Sequence, residues 1–151
     1  MQQLGRSGDE MQVKMGLDAL RAFLDAEFPQ VAEDLELLDV SPMHLVMRAL
    51  VHDRHLRPGG TVSGPSMFAL ADVAMYLAIL AMIGPEALSV TTNCSIDFMR
   101  KPAAGANLRA EARLLKLGRA LAVGDVLIFS EGGDDPVARA SLTYSIPPAK
   151  G

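Results

Sequence analysis

The sequence predicts an α+β domain in which one antiparallel β-sheet is wrapped around a long, very apolar helix. Three observations predict it. Between Ser66 and Gly84 the only charged residue is Asp72, and Val73 to Ile83 is apolar throughout; a helix apolar on all sides belongs inside protein. Beyond that segment the apolar period changes to two and persists through four runs with short connections, which favour antiparallel neighbours. The 151 residues amount to one domain, long enough to bury a core.

Residues Met1 to Glu10 are polar and Gly-containing, without the apolar stretch of a signal peptide, and read as a loose leader. Residues 11–151 then form one domain. Val13 to Phe28 reads as an amphipathic helix, with Leu17, Leu20, Leu24 and Phe28 on one face. Leu35 to Asp39 and His44 to His52, separated by Ser41-Pro42, suggest a hairpin, and Asp53 to Ser63 is a loop punctuated by Pro58-Gly59-Gly60. Pro65 suits the first turn of the long helix because its missing N–H has no intrahelical partner there, and Gly84-Pro85 stops it.

After the helix, Val90, Thr92, Cys94, Ile96 and Phe98 alternate with Thr91, Asn93, Ser95 and Asp97. Leu108, Ala110, Ala112 and Leu114 alternate with Asn107, Arg109, Glu111 and Arg113. Two more strands, about Ala120 to Phe129 and Val137 to Ile146, are bounded by Gly118 and by the Glu131-to-Asp135 turn. The long helix approaches the length of a membrane span. Its mid-segment carboxylate, the lack of basic flanks and the strands that follow argue against that use.

Half the residues are apolar and about a fifth are charged, the balance of an ordinary soluble domain. A net charge of −4 gives no overall attraction to nucleic acid or to anionic membranes. The single cysteine, Cys94, excludes an internal disulfide framework and is compatible with the reducing cytoplasm. No nucleic-acid, membrane or metal partner is expected.

Asp72 is the outlier. An ionised carboxylate among Leu70, Ala71, Val73 and Ala74 costs several kcal/mol in desolvation unless it is compensated. It is therefore either a structural aspartate that pairs with an arginine or caps a neighbouring loop, or a functional carboxylate. The helix start is the second feature. Gly60-Thr-Val-Ser63-Gly64-Pro65 presents free backbone N–H groups and the positive end of a helix dipole, which suit a developing oxyanion. Equally, Ser63 or Gly64 serves as the N-cap. Asp72 lies eight residues past Gly64, about 12 Å along the helix and about 80° round it. One chain therefore cannot easily aim both groups at one carbonyl carbon. Two helices antiparallel about a two-fold axis can, which puts such a site in a homodimer interface.

Weaker candidates fall away. The segment Gly60 to Gly64 places serine fourth and not third, so it is no nucleophile elbow. His44, His52 and His55 lack metal-ligand spacing, Cys94 reads as packing, and Asp134-Asp135 reads as a turn. The cations Arg57, Arg100, Lys101, Lys116 and Arg119 are either solvated or in reach of a phosphate.

The run Gly60-Thr-Val-Ser-Gly-Pro-Ser-Met-Phe-Ala-Leu-Ala-Asp72 resembles the central-helix motif of the PaaI-type hotdog-fold thioesterases. Val90-Thr91, Ser95 to Arg100, Pro102, Gly105 and Leu117-Gly118-Arg119 are similar to that family too, so the resemblance spans about Leu35 to Ile146. It implies a hotdog fold and hydrolysis of an acyl-CoA by a homodimer or a dimer of dimers, without metal or cofactor. On this resemblance Asp72 is the general base or nucleophile, the Gly64 N–H polarises the thioester oxygen beside Ser63, and Thr91 orients water. Arg57, Gly60, Met75, Arg100 and Arg119 would meet the substrate. Two departures stand out. Arg57 replaces an asparagine common in the family, and Ser63-Gly64-Pro65 replaces His-Gly-Gly. A non-catalytic acyl-CoA-binding protein is the alternative; a hydratase would need a histidine that the helix lacks.

Overall fold

From the amino end the chain forms helix α1 (Leu17–Glu27), the single turn α2 (Pro29–Ala32), strands β1 (Leu35–Ser41) and β2 (His44–Ala49), helix α3 (Gly64–Ile83), and strands β3 (Val90–Phe98), β4 (Leu108–Leu117), β5 (Leu121–Ser130) and β6 (Pro136–Ser145). The computed structural model describes residues 12–85 and 89–148. The leader predicted for residues 1–10 lies outside them. The expected helix Val13 to Phe28 starts later, at Leu17, and breaks at Phe28. The cause is Pro29, because a residue before proline is pushed out of the helical region; Phe28 takes φ −131° and ψ 53°. Leu20 and Leu24 of the predicted face are fully buried.

The six strands make one antiparallel sheet in the order β1-β2-β4-β5-β6-β3, with β1 and β3 at its edges. Helix α3 lies across one side of the sheet, chiefly against β4, β5 and β2. Its buried residues, among them Met75, Leu77, Ile79 and Leu80, join the inward-facing Ala110, Ala112, Val126, Ile128, Ala140 and Leu142 in one core. The alanines on the strands let the helix approach closely. Closest contact falls at Gly124, where a Cβ would sit 2.4 Å from Met75 Cε and 2.5 Å from the Arg113 carbonyl oxygen.

The helix is not wrapped on every side. Pro65, Phe68, Ala69, Asp72, Val73 and Tyr76 are all exposed or half-buried, and their spacing places them on one face. By length and composition α3 could cross a membrane, yet 61% of its most apolar window is buried by the rest of the chain. The sheet therefore covers most of α3 and leaves one apolar stripe open, with Asp72 in its middle.

Candidate active site

Asp72 sits where α3 passes the start of β3 and the end of β6. Thr91 Oγ1 donates to Asp72 Oδ1 at 2.8 Å. The Tyr144 hydroxyl also donates to Oδ1 and lies 2.8 Å from the Asp72 carbonyl oxygen. Both side-chain bonds thus land on one carboxylate oxygen, and Oδ2 has no partner among the described residues. Among the described residues no arginine pairs with Asp72; its neighbours are hydroxyls. Two hydroxyls offset the desolvation of the carboxylate while leaving its charge uncancelled.

Thr91 reaches Asp72 because β3 is irregular. Thr91 pairs with Tyr144 and Asn93 pairs with Thr143, so one residue is inserted between them. Strict alternation from the inward-facing Cys94 and Ile96 would turn Thr91 outward; the bulge rotates it in. Tyr144, absent from the sequence-level candidates, is the largest fully buried side chain. Burial first, and the hydrogen bond to Asp72 second, push its hydroxyl far above the ordinary tyrosine range, so it remains a donor. A tyrosine on an inward face otherwise made of Ala and Leu was the available signal, since a buried hydroxyl needs a partner. Cys94 lies close enough for the Asp72 charge, after burial, to raise its thiol. That disfavours the thiolate and agrees with a packing role.

At the other end of the stripe, Ser63 is the N-cap of α3, its Oγ accepting from Ser66 N at 3.3 Å. Its side chain is committed to the helix backbone. Pro65 has no N–H, which leaves Gly64 as the free donor at the first helical position. Phe98, at the end of β3, stands over this point: a Cβ on Gly64 would lie 3.2 Å from the Phe98 ring. A cavity of about 350 Å³ opens here, lined by Gly64, Met67, Phe98, Arg57, Arg100 and Lys101 among others. Three cations and no carboxylate line it. Arg100 is steadied by a 2.7 Å bond to the Pro136 carbonyl.

The structure brings Arg57 and Arg100 to Gly64 and Thr91 to Asp72, and it keeps these two groups apart. Arg119 stands in the β4–β5 turn, two residues before Leu121, which pairs with Ser145 at the end of β6. One assignment needs correction. Met75 is fully buried against Gly124 of β5, so the core is its partner and no substrate can reach it within this chain. Gly60 is exposed, takes φ +85° in a tight turn and donates its N–H to the Arg57 carbonyl at 3.0 Å, so it shapes the loop that carries Arg57. The histidines also find a structural use: His52 and His55 approach the buried Asp34 at 3.3 and 3.6 Å beside Arg54, pinning the 3-10 turn Asp53–His55 to the start of β1. Among the described residues no group of three or more His, Cys, Asp or Glu side chains is placed to hold a metal.

Comparison with known proteins adds an independent line. A sequence model of the thioesterase superfamily matches residues 59–137, from the turn before α3 into β6. A candidate thioesterase of a Silicibacter species is 57% identical and superposes with a TM-score of 0.87, covering 92% of this chain and 96% of that one. The phenylacetic acid degradation protein PaaI of Thermus thermophilus, in a mutant form, is 32% identical with a TM-score of 0.66, covering 82% and 97%. A candidate esterase of Pseudomonas aeruginosa is 30% identical over 103 residues, 68% of this chain and 75% of that protein.

Proposed function

This chain belongs to the thioesterase superfamily, in its hotdog-fold form, and from that premise we propose that it hydrolyses an acyl-CoA thioester with Asp72 as the catalytic carboxylate. The observation that carries the proposal is the state of Asp72: an acid in the middle of an open apolar stripe, held through Oδ1 by Thr91 and Tyr144, with Oδ2 unengaged among the described residues. Rigid support on one oxygen and freedom on the other is what a general base or a nucleophile requires. As base, Oδ2 takes a proton from water while the water oxygen bonds to the thioester carbon. The carbonyl electrons move to oxygen, where the Gly64 N–H and the α3 dipole stabilise the charge. Collapse breaks the C–S bond, and the departing thiolate takes up the proton.

The two halves of this machinery lie at opposite ends of one edge strand. β3 runs antiparallel to α3, with Thr91 beside Asp72 and Phe98 beside Gly64. A second copy paired antiparallel along β3 places its Gly64 end against the Asp72 end of the first, and each α3 stripe covers the other. The exposed Val90, Phe68 and Phe98 support such burial. The active site is then shared, with Arg100 and Lys101 of one protomer and Arg119 of the other reaching for CoA phosphates and Arg57 beside Gly64. Ser63 remains the helix cap and contributes by fixing Gly64.

The test is release of free CoA thiol from a panel of acyl-CoAs by wild type and Asp72→Asn, with sedimentation of both. Wild-type turnover that falls by about 10²–10⁴ in the variant, from a dimer or larger assembly, is the expected result. Full turnover in Asp72→Asn, or no wild-type turnover on any acyl-CoA, overturns it. CoA binding without turnover would support the acyl-CoA-binding alternative, which the short donor set at Ser63-Gly64-Pro65 favours.

A further inference from the structure

A second cavity, of about 140 Å³, lies between Ala69, Leu70 and Val73 of α3 and Leu35, Ala49 and Val51 of the sheet and its following loop, with Val62 the wall it shares with the cationic one. We infer that this cavity seats the acyl group of the substrate, and that the group is a short unsubstituted hydrocarbon of about benzene bulk. The inference rests on the thioesterase proposal and deepens it.

Position comes first. Ala69 is exposed and Val73 half-buried, and both belong to the open stripe that holds Asp72. Val73 is the next residue after Asp72, and Ala69 is three before it, about 4.5 Å along the axis. A thioester carbon at Asp72 therefore has an apolar recess within a few bonds. The helix methionines offer less to an acyl chain: Met67 and Met75 are both buried in the core.

Chemistry comes second. Three polar residues line the recess, and they are turned mostly to one another or to the chain around them. Asp34 is held by Arg54 with His52 and His55 alongside, and Ser66 Oγ accepts from the Ser63 hydroxyl at 3.0 Å, which leaves the Ser66 O–H as a single donor. A carboxylate on the acyl group would be desolvated there against one hydroxyl at most, which costs more than a methyl group gains. Size comes third. An enclosed apolar cavity of about 150 Å³ takes benzene; this recess is similar in volume but open on one side, so a chain of about six carbons matches its bulk and a longer chain projects out past it.

Each buried methylene contributes about 0.8 kcal/mol, or about fourfold. Wild-type kcat/KM should rise by about two orders of magnitude from acetyl-CoA to hexanoyl-CoA and gain nothing further at decanoyl-CoA. Ala49→Leu and Val51→Phe, each placed in the recess and away from Asp72 and Gly64, should cut the hexanoyl-to-acetyl ratio at least tenfold. The same ratio read as Kd on Asp72→Asn protein, by calorimetry, makes the outcome independent of turnover. A hexanoyl preference that both filled, folded variants retain overturns the inference, as does equal affinity of the Asp72→Asn protein for acetyl- and hexanoyl-CoA. Tight hexanoyl binding with no hydrolysis by wild type leaves the recess standing and removes the thioesterase proposal.

Discussion

Tyr144→Phe removes one oxygen atom from the centre of the domain and isolates the support of Asp72. The ring stays, so no cavity larger than a hydroxyl is created, and Thr91 still donates to Oδ1 at 2.8 Å. What is lost is one bond to the carboxylate and one 2.8 Å contact with the Asp72 carbonyl. Hydrogen bonds to charged groups contribute about 1.5–3 kcal/mol; with Thr91 remaining, a loss of about 2 kcal/mol is expected. For a domain of this size that lowers Tm by about 4–8 °C, measurable by thermal circular dichroism at neutral pH.

The same variant has a signature at alkaline pH. Burial and the Asp72 bond raise Tyr144 far above its ordinary range, whereas in the unfolded chain it ionises near pH 10. Above that pH the folded state binds the extra proton, so stability falls as pH rises, by about 1.4 kcal/mol per pH unit for this one group. Its contribution is complete below pH 10 and is lost above it. Wild type should therefore lose stability more steeply than Tyr144→Phe beyond pH 10, the raised Tyr76 being common to both, while Cys94→Ala, which removes a further raised group, should flatten the curve from nearer pH 9. Equal stability at pH 7, or parallel curves above pH 10, would refute the claim that Tyr144 spends its hydroxyl on Asp72.

Gly124→Ala should destabilise by about 1–3 kcal/mol through overpacking, and Met75→Ala should not rescue it in urea titrations. The flexible methionine tip can yield, but the Arg113 carbonyl 2.5 Å from the new Cβ is backbone. Ser63→Ala should cost about 1 kcal/mol in helix capping, with Ser63→Asp recovering it, as judged by Tm. Asp34→Ala should cost about 1–2 kcal/mol, since its carboxylate is buried but Arg54 is mostly exposed, which discounts the pair; faster hydrogen exchange at residues 53–56 would locate the damage. Phe68→Asp should shift sedimentation towards monomer and abolish turnover together, because it charges the α3 stripe beside Asp72.

The sequence carried the architecture because its periods were clean. The shift from a twenty-residue apolar helix to four alternating strands left little freedom in topology. Asp72 was legible for a similar reason, since one acid in a long apolar run must be compensated by something. Of that compensation, Thr91 was singled out by the family resemblance alone, and Tyr144 not at all. Thr91 reaches Asp72 through a bulge, and a bulge is invisible to a period-two pattern until pairing is known. Tyr144 arrives from 72 residues away, a separation no local pattern spans. Met75 failed for the opposite reason. An all-apolar helix gives no signal of which face meets the sheet, so a core residue and a stripe residue read alike.

The departures at Arg57 and Ser63-Gly64-Pro65 gain a physical account from the geometry. A histidine before the first helical glycine could reach outward to a thioester; Ser63 turns inward to cap Ser66, and Pro65 withholds an N–H. The electrophilic end thus keeps one backbone donor where more are expected. Arg57 lines the same cavity as Gly64, with its backbone fixed by the Thr61 carbonyl at 2.8 Å and the Gly60 N–H at 3.0 Å. A guanidinium there replaces a neutral amide by a full charge, and charge next to a developing oxyanion offsets a missing dipolar donor. If that substitution is the compensation, Arg57→Asn should lower kcat with little change in KM, by about 10²–10³ as for loss of an oxyanion donor. Were Arg57 instead a phosphate anchor, KM for acyl-CoA would rise at constant kcat, and a pantetheine thioester lacking the phosphates would be indifferent to the change. The ratio of these two parameters decides which end of the substrate the arginine serves.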